Sequence, residues 1–233
     1  MRPQLVIHGA TAAHAVLVDQ IPRLTADEIR RPSLLTGWTV GHVLTHLARN
    51  ADSHTGMLLA AQGGGIADQY PGGPAQRSAD IAAGAARDPE ELLGDLRASI
   101  ERLEATWDAT SVAAWAHGTG RTGNAGEQPL GELVFRRWRE TEVHHADLGL
   151  AFGWAEWSGA YVDHELDRTI HGLAARLPEG VALRIEAEGV IGAWVVEPVA
   201  APRVTVRAPK HELLAWLLGR HARPDWPELA PWG

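Results

Sequence analysis

The sequence predicts an α+β protein, in which an amino-terminal four-helix bundle is followed by a small α/β domain. Two observations indicate this fold class. Up to about residue 155, apolar residues recur at helical spacing in long segments joined by glycine- and proline-rich connections. Beyond that point, short β-rich runs alternate with helical segments, which is typical of a small α+β domain. We therefore expect domains at residues 1–155 and 156–233.

The first three helices of the bundle are predicted from periodicity and capping residues. Residues 5–23 carry apolar positions at helical spacing, and a second helix begins after Thr39, which is suited to be its N-cap. Residues 63–78 contain many glycines and a Pro-Gly-Gly-Pro run, so this segment is predicted to be a loop. The run Asp88-Pro89-Glu90-Glu91 predicts the start of the third helix, with a cap, a proline and two acids in its first turn.

The remaining elements follow a glycine-rich link at residues 118–129. A fourth helix is predicted from about Leu130 to Leu150, which completes the bundle. In the second domain, residues 158–177 predict a helix. The runs ALRIEAE, AWVVEP and RVTVRA predict strands, and ELLAWLLGR predicts a short final helix.

Composition and charge exclude several classes of protein. No stretch approaches the roughly 18 apolar residues of a membrane span, and the amino-terminal segment does not read as a signal peptide. The net charge of −8 without a basic run argues against a nucleic-acid partner. Cysteine is absent, which excludes disulfides, zinc–thiolate sites and a thiol nucleophile from the chain itself. We expect a soluble cytoplasmic protein; a monomer fits this composition, but the sequence does not determine the oligomeric state.

Two polar residues lie beside the apolar stripe of the predicted fourth helix. Glu140 and His144 project on either side of Leu133, and therefore toward the interior of the bundle. A carboxylate and an imidazole buried there need partners, because burying them unpaired is costly. Their i, i+4 spacing is compatible with a hydrogen-bonded pair and equally with a shared metal ion, and this choice stays open.

A third metal ligand could come from the second helix. His42, His46 and His54 follow one another there at spacings of four and eight residues. Helical projection favours His54, which lies nearest the apolar stripe of that helix, whereas His46 lies on its flank. Taken singly, each of these histidines is better explained as a structural or surface residue.

Four stretches together resemble a known family, the mycothiol-dependent maleylpyruvate isomerases. They are SLLTGWTVGHVLTHLARNA (33–51), YPGG with the following Arg77, RRWRETEVHHADLGL (136–150) and LLAWLLGR (213–220). The resemblance covers nearly the whole chain, and the carboxy-terminal match is the weaker part. It implies a DinB-like metal-binding four-helix bundle at 1–155 and a sterol-carrier-like domain at 156–233.

The resemblance also implies the roles of individual residues. It names His46, Glu140 and His144 as ligands of Zn²⁺ or another divalent metal, and so selects His46 over His54. It places Arg77 and Arg220 at the active site, where they would hold a dianionic substrate and the thiol cofactor. Asn50, one turn beyond His46, could orient a ligand or cofactor. His145 is outside the pattern and is expected at the surface or behind the metal ligands.

The activity implied by this resemblance is cis–trans isomerisation of maleylpyruvate to fumarylpyruvate with mycothiol as the thiol. Addition of a thiolate to the double bond would make it single and allow rotation, and expulsion of the thiolate would restore the alkene. A mycothiol S-transferase acting on another electrophile is the alternative within the family. A bundle that binds a metal or a partner without catalysis is the third interpretation.

Overall fold

The computed structural model describes residues 1–21, 23–123, 125–197 and 203–232. The chain forms two compact units, Met1–Gly153 and Trp154–Gly233. The first unit is helical apart from a short hairpin, and the second combines helices with a sheet. The predicted α+β class is therefore confirmed.

Long helices form the frame of the first unit, and shorter helices connect them. The long ones are α1 (Gln4–Gln20), α3 (Val40–Gln62), α5 (Pro89–Ala109) and α7 (Leu130–Asp147). The short ones are α2 (Ala26–Arg30), α4 (Gly73–Ala85) and α6 (Val112–His117). Helix α3 packs against α5, α4 and α7, and α1 packs against α7, so α3 is central to the unit.

Apolar side chains of α1, α3 and α5 form the core of the bundle. Leu17, Leu44 and Leu96 are among its buried members. A fully buried leucine contributes roughly 1.5–3 kcal/mol relative to an exposed one. Burial of the apolar side chains of α3 fixes the rotation of this helix about its axis. It therefore also fixes the direction in which the polar residues of α3 point.

The capping residues predicted from the sequence are confirmed. The Thr39 side chain accepts a hydrogen bond from the His42 backbone N–H, and the His42 side chain accepts one from the Thr39 backbone N–H, so the two form a capping box. Asp88 caps α5 at the Glu90 N–H, with Pro89 at the first helical position. Helix α7 ends at Asp147 rather than at Leu150, because Gly149 adopts a positive φ of 65° that a helix cannot continue through.

Two connections of the first unit contain structure that the sequence does not predict. The predicted loop at 63–78 ends earlier, because α4 already begins at Gly73 with Pro74 in its first turn and an alanine-rich sequence behind it. The glycine-rich link at 118–129 is an antiparallel hairpin of β1 (Thr119–Thr122) and β2 (Gly126–Pro129). Gly120 in β1 lies against Met57 and Leu133 and has no room for a larger side chain, so its glycine reflects packing.

The second unit contains α8 (Gly159–His171), α9 (Lys210–Leu217) and a sheet of three strands in the described part of the chain. The strands β3 (Ala182–Ala187), β4 (Trp194–Val196) and β5 (Arg203–Ala208) are ordered β4-β3-β5. The pair β3–β4 is antiparallel and the pair β3–β5 is parallel. The predicted strands and the final helix are confirmed, but the predicted helix 158–177 ends at His171 and is followed by a 3-10 turn at Leu173–Arg176.

In the part of the chain that the structure describes, no helix is a candidate for spanning a membrane. None of its helices has both the length and the apolar character that a bilayer span requires.

Candidate metal centre

Helices α3 and α7 bring His46, Glu140 and His144 together. The Nε2 atom of His46 lies 2.8 Å from Oε2 of Glu140, and Nε2 of His144 lies 3.4 Å from the same oxygen. The two imidazole rings meet edge to face with their centroids 4.7 Å apart. One ligand atom from each residue lies within 4.8 Å of the other two, so the group could hold a metal ion.

The local folding of each helix explains this convergence. The spacing of four residues in α7 places Glu140 and His144 on one face, one turn apart. In α3, His46 follows Leu44 and precedes Leu47, both fully buried, and its own side chain is only 4% exposed. The side chains of Glu140 and His144 are 29% and 17% exposed, so the cluster is open to solvent on the α7 side.

The three groups control one another's protonation. Burial alone would raise the pKa of Glu140, but hydrogen bonds with His144 and His46 hold that pKa well below its usual range. Burial would lower the pKa of His144, but hydrogen bonds with Asp147 and Glu140 raise it to about 9. Burial dominates at His46 and lowers its pKa to about 4. In the metal-free protein, Glu140 is therefore an anion paired with a protonated His144 beside a neutral His46.

Asp147 holds the second nitrogen of His144. Its Oδ2 atom lies 2.9 Å from Nδ1 of His144, and its side chain is 1% exposed. An Nδ1–H group that donates to Asp147 leaves Nε2, which is directed at Glu140, available to a metal ion. Asp147 belongs to the sequence pattern RRWRETEVHHADLGL, and its position three residues after His144 on one helical face is the signal that could have identified it.

Arg77 reaches the cluster from α4, so the prediction that residues 63–78 form a loop is wrong at this position. Its Nη2 atom lies 3.1 Å from Nδ1 of His46. Its guanidinium also lies over the ring of Tyr70, 5.3 Å from the ring centroid. Tyr70 was not predicted as a site residue, and it comes directly before the Pro-Gly-Gly run that precedes α4.

Asn50, His54 and His145 are buried but lie outside the group of three. The Oδ1 atom of Asn50 accepts a hydrogen bond from Nη1 of Arg137 at 2.9 Å. His54, which helical projection favoured as a ligand, is 2% exposed and is not part of the cluster. Of the two positions expected for His145, the surface position is wrong: the residue is buried and its ring stacks on Phe152 at 3.8 Å, because it lies one residue after His144 and is turned toward the core.

Arg220 belongs to the second unit and lies two residues beyond Leu218, the C-cap of α9. Its Nη1 donates to the Leu218 carbonyl at 2.7 Å, and its guanidinium lies 5.9 Å from the ring centroid of Trp232. The role of Arg220 at the active site stays a prediction.

The fold and the cluster together define a helical-bundle protein with a candidate metal centre of two histidines and one glutamate between facing helices. Residues 10–149 match the family described as the mycothiol maleylpyruvate isomerase N-terminal domain. This match spans more than half of the chain, and the chain therefore belongs to that family. The resemblance inferred from the sequence motifs is confirmed.

Two solved structures are similar to the whole chain. One is a crystal structure of the mycothiol-dependent maleylpyruvate isomerase, with 22% sequence identity and a TM-score of 0.88. The other is a histidine-to-alanine mutant of that enzyme, with 22% identity and a TM-score of 0.87. Each comparison covers 100% of this chain and 98% of the other, so both units share the fold of those structures. No curated protein matches the sequence.

Proposed function

We propose that the protein is a zinc- and mycothiol-dependent isomerase that converts maleylpyruvate to fumarylpyruvate in the cytoplasm. The observation that carries this proposal is the meeting of His46, Glu140 and His144 within 4.8 Å, with Arg77 at 3.1 Å from His46. Membership of the mycothiol maleylpyruvate isomerase N-terminal domain family supports the choice of thiol and substrate.

The donor set fits a divalent metal such as Zn²⁺. Two imidazole nitrogens and one carboxylate oxygen are ligands that zinc prefers, and three protein ligands are typical of catalytic sites with an open position. A metal ion held there would lower the pKa of a thiol that coordinates it and so supply a nucleophile near neutral pH. The chain has no cysteine, which is why we assign this thiol to a low-molecular-weight cofactor.

The chain's own contribution is to bind and orient the reactants. Mycothiol, when bound, supplies reversible addition to the double bond of the substrate, which permits rotation without net oxidation or reduction. Arg77 is placed to pair with a substrate carboxylate beside the metal ligands, since a guanidinium binds carboxylates through two parallel hydrogen bonds. We assign Arg220 a second contact with the substrate or the thiol, and Asn50 a contact with a ligand in the site.

A mycothiol S-transferase that acts on another electrophile is the second candidate. The family match covers residues 10–149 and therefore contains the residues for the metal but not Arg220. Both reactions begin with activation of a thiol and differ in the electrophile that the thiol attacks, so the same metal centre would serve either one. The two activities differ in their products: an isomerase regenerates the thiol, whereas a transferase leaves a stable thioether.

The deciding experiment incubates the metal-loaded protein with mycothiol and maleylpyruvate, and separately with mycothiol and electrophiles such as alkyl halides or epoxides. Formation of fumarylpyruvate without loss of thiol is the expected result. A thioether product with no isomerisation would favour the transferase. The variant His46→Ala should lose the metal and all thiol-dependent turnover; full turnover in this variant would overturn both candidates and favour a non-catalytic bundle.

A further inference from the structure

Arg137 is a fully buried cation whose hydrogen-bond acceptors in the described part of the chain are all neutral. Its side chain lies inside the bundle at 0% exposure. Its Nε donates to His14 at 3.0 Å, and its Nη1 donates to the Leu47 carbonyl at 2.8 Å and to Asn50 at 2.9 Å. Burial lowers the pKa of His14 to about 4, so that ring carries no charge at neutral pH. The Nη2 group finds no acceptor among the residues described.

Such an arrangement is unusual for a buried guanidinium. Burial lowers the pKa of Arg137 to about 10, which still leaves the group charged at neutral pH. Buried charges are normally paired with an opposite charge and fully hydrogen-bonded, because removal from water otherwise carries a large penalty. Arg137 has neither an ion pair nor a complete set of acceptors within the described residues. An anionic ligand would supply both.

The position of Arg137 is next to the metal centre. It precedes Glu140 by one turn of α7, and its contacts on α3, Leu47 and Asn50, lie in the turn that follows His46. Burial has the largest effect on the pKa of Arg137 and lowers it. The Glu140 carboxylate has the next largest effect and raises this pKa, as does Tyr70, over whose ring Arg77 lies. A metal ion on the cluster would compensate the charge of Glu140, so the surroundings of Arg137 would then favour an anion.

Asn50, which contacts Nη1 of Arg137, carries a second hydrogen-bond donor. Because its Oδ1 accepts from Arg137, its Nδ2 carries the two N–H groups and lies on the other side of the amide. These N–H groups form no hydrogen bond with any residue that the structure describes. His54, one turn further along α3, is also buried without a hydrogen bond to a described residue, and burial lowers its pKa to about 3.

We propose that Nη2 of Arg137 and Nδ2 of Asn50 together bind one carboxylate oxygen of a small anionic ligand that enters the metal centre. This buried anion site is separate from Arg77, which approaches His46 from α4. The inference extends the proposed function by giving a dicarboxylate a second, inner contact. It does not depend on a thiol, and its test needs none.

The test measures binding of maleate to the metal-loaded full-length protein by isothermal titration calorimetry. Replacement of Arg137 could unfold the bundle, because its side chain joins α1, α3 and α7. The variant Asn50→Asp avoids this problem, since the introduced carboxylate pairs with Arg137 and occupies the anion site from within. We expect maleate affinity to fall by about tenfold or more, the loss typical of a charge-assisted hydrogen bond, with metal content retained and the melting temperature equal or higher.

Thr55→Asp is the matched control, because it adds the same charge to α3 at a part-buried position whose side chain bonds the Ala51 carbonyl and does not contact Arg137 or Asn50. It should change maleate affinity by less than about threefold, because a charge at a partly exposed position is screened by solvent and salt. Equal weakening by both variants would overturn the proposal, and so would a metal-loaded wild-type protein that does not bind maleate. Maleate binding that only Asn50→Asp abolishes would support the anion site even in a protein without isomerase turnover.

Discussion

The carboxylate of Asp147 lies 2.9 Å from Nδ1 of His144, while the opposite nitrogen of that ring lies 3.4 Å from Glu140. The imidazole is therefore held at both ends, and both partners come from the helix that carries it. Such a carboxylate fixes the tautomer and the orientation of a histidine ligand and increases its basicity.

The variant Asp147→Asn should bind zinc about 10- to 100-fold more weakly than the wild type, because the amide is a poorer acceptor for the Nδ1–H of His144. Competition with a chelator of known affinity measures this change. Glu142→Gln is the control: Glu142 is buried in the same helix and accepts from Trp138 at 3.1 Å. Equal zinc affinity of Asp147→Asn and the wild type would show that Asp147 does not orient the ligand.

Zinc affinity should rise with pH up to about 9. The pKa of His144 is raised to about 9 in the metal-free protein, and a metal ion must displace that proton. One displaced proton corresponds to about a tenfold change in apparent affinity per pH unit below that pKa. The pKa of His46 is lowered to about 4, so zinc must displace a second proton, from His46, only in acid. Zinc affinity that stayed constant between pH 6 and 8.5 would contradict the prediction.

The stability of the metal-free protein should change with pH in the opposite direction. Because the folded pKa of His144 lies above its unfolded value of 6.5, the stabilisation is complete below pH 6.5 and is lost as the pH rises toward 9. The melting temperature of the metal-free protein should therefore fall over this range. His144→Ala is the control, since it should remove this part of the pH dependence.

Arg77→Lys should reduce kcat/KM for a dicarboxylate by about 10- to 100-fold, because an ammonium group cannot make the paired hydrogen bonds of a guanidinium. Zinc content should not fall, since lysine keeps the positive charge of Arg77 and residue 77 is not one of the three candidate ligands. Gln76→Ala, an exposed change in the same helix, should leave both quantities unchanged. Loss of zinc from Arg77→Lys would indicate that Arg77 supports His46 instead of binding substrate.

Two helical glycines differ in the space around them, so substitution by alanine should have opposite effects on the stability of the protein. An added Cβ at Gly9 would collide with the buried ring of Trp138, whereas one at Gly94 in α5 would meet no atom within 4 Å. Gly9→Ala should therefore destabilise the protein by about 1–3 kcal/mol, and Gly94→Ala should stabilise it by roughly 0.5–1 kcal/mol. Urea unfolding measures both. If Gly9→Ala stabilised the protein instead, α1 and α7 would have to move apart easily.

Periodicity and capping predict the long helices because both signals are local in the chain. Thr39 and Asp88 mark helix starts through hydrogen bonds to residues two or three positions away, and the structure confirms both. Helix α4 is not predicted because the glycines and prolines at its start indicate a loop more strongly than the alanine-rich run that follows them indicates a helix. Burial of Ile81 within the bundle stabilises α4, and a tertiary contact of this kind has no local signature.

The cluster itself was only half predictable from periodicity. Glu140 and His144 are one turn apart on one helix, so their convergence follows from the sequence alone. The choice between His46 and His54 depends on which turn of α3 faces Glu140, and helical projection contains no information about the offset between two helices. The family motif selects His46, and the distance of 2.8 Å to Glu140 agrees with that choice. The surroundings of Arg137 depend on three helices and could not be predicted.

Because Arg77 is carried by α4, the register of that helix sets its position, and the preceding connection does not. The exposed glycines at 63–65 lie before the backbone hydrogen bonds that attach Ala67 and Gln69 to Arg121. A peptide tag or fluorescent reporter inserted at Gly64 should therefore leave the arginine and its histidine partner in place. This offers a site for labelling the protein while the reaction is followed.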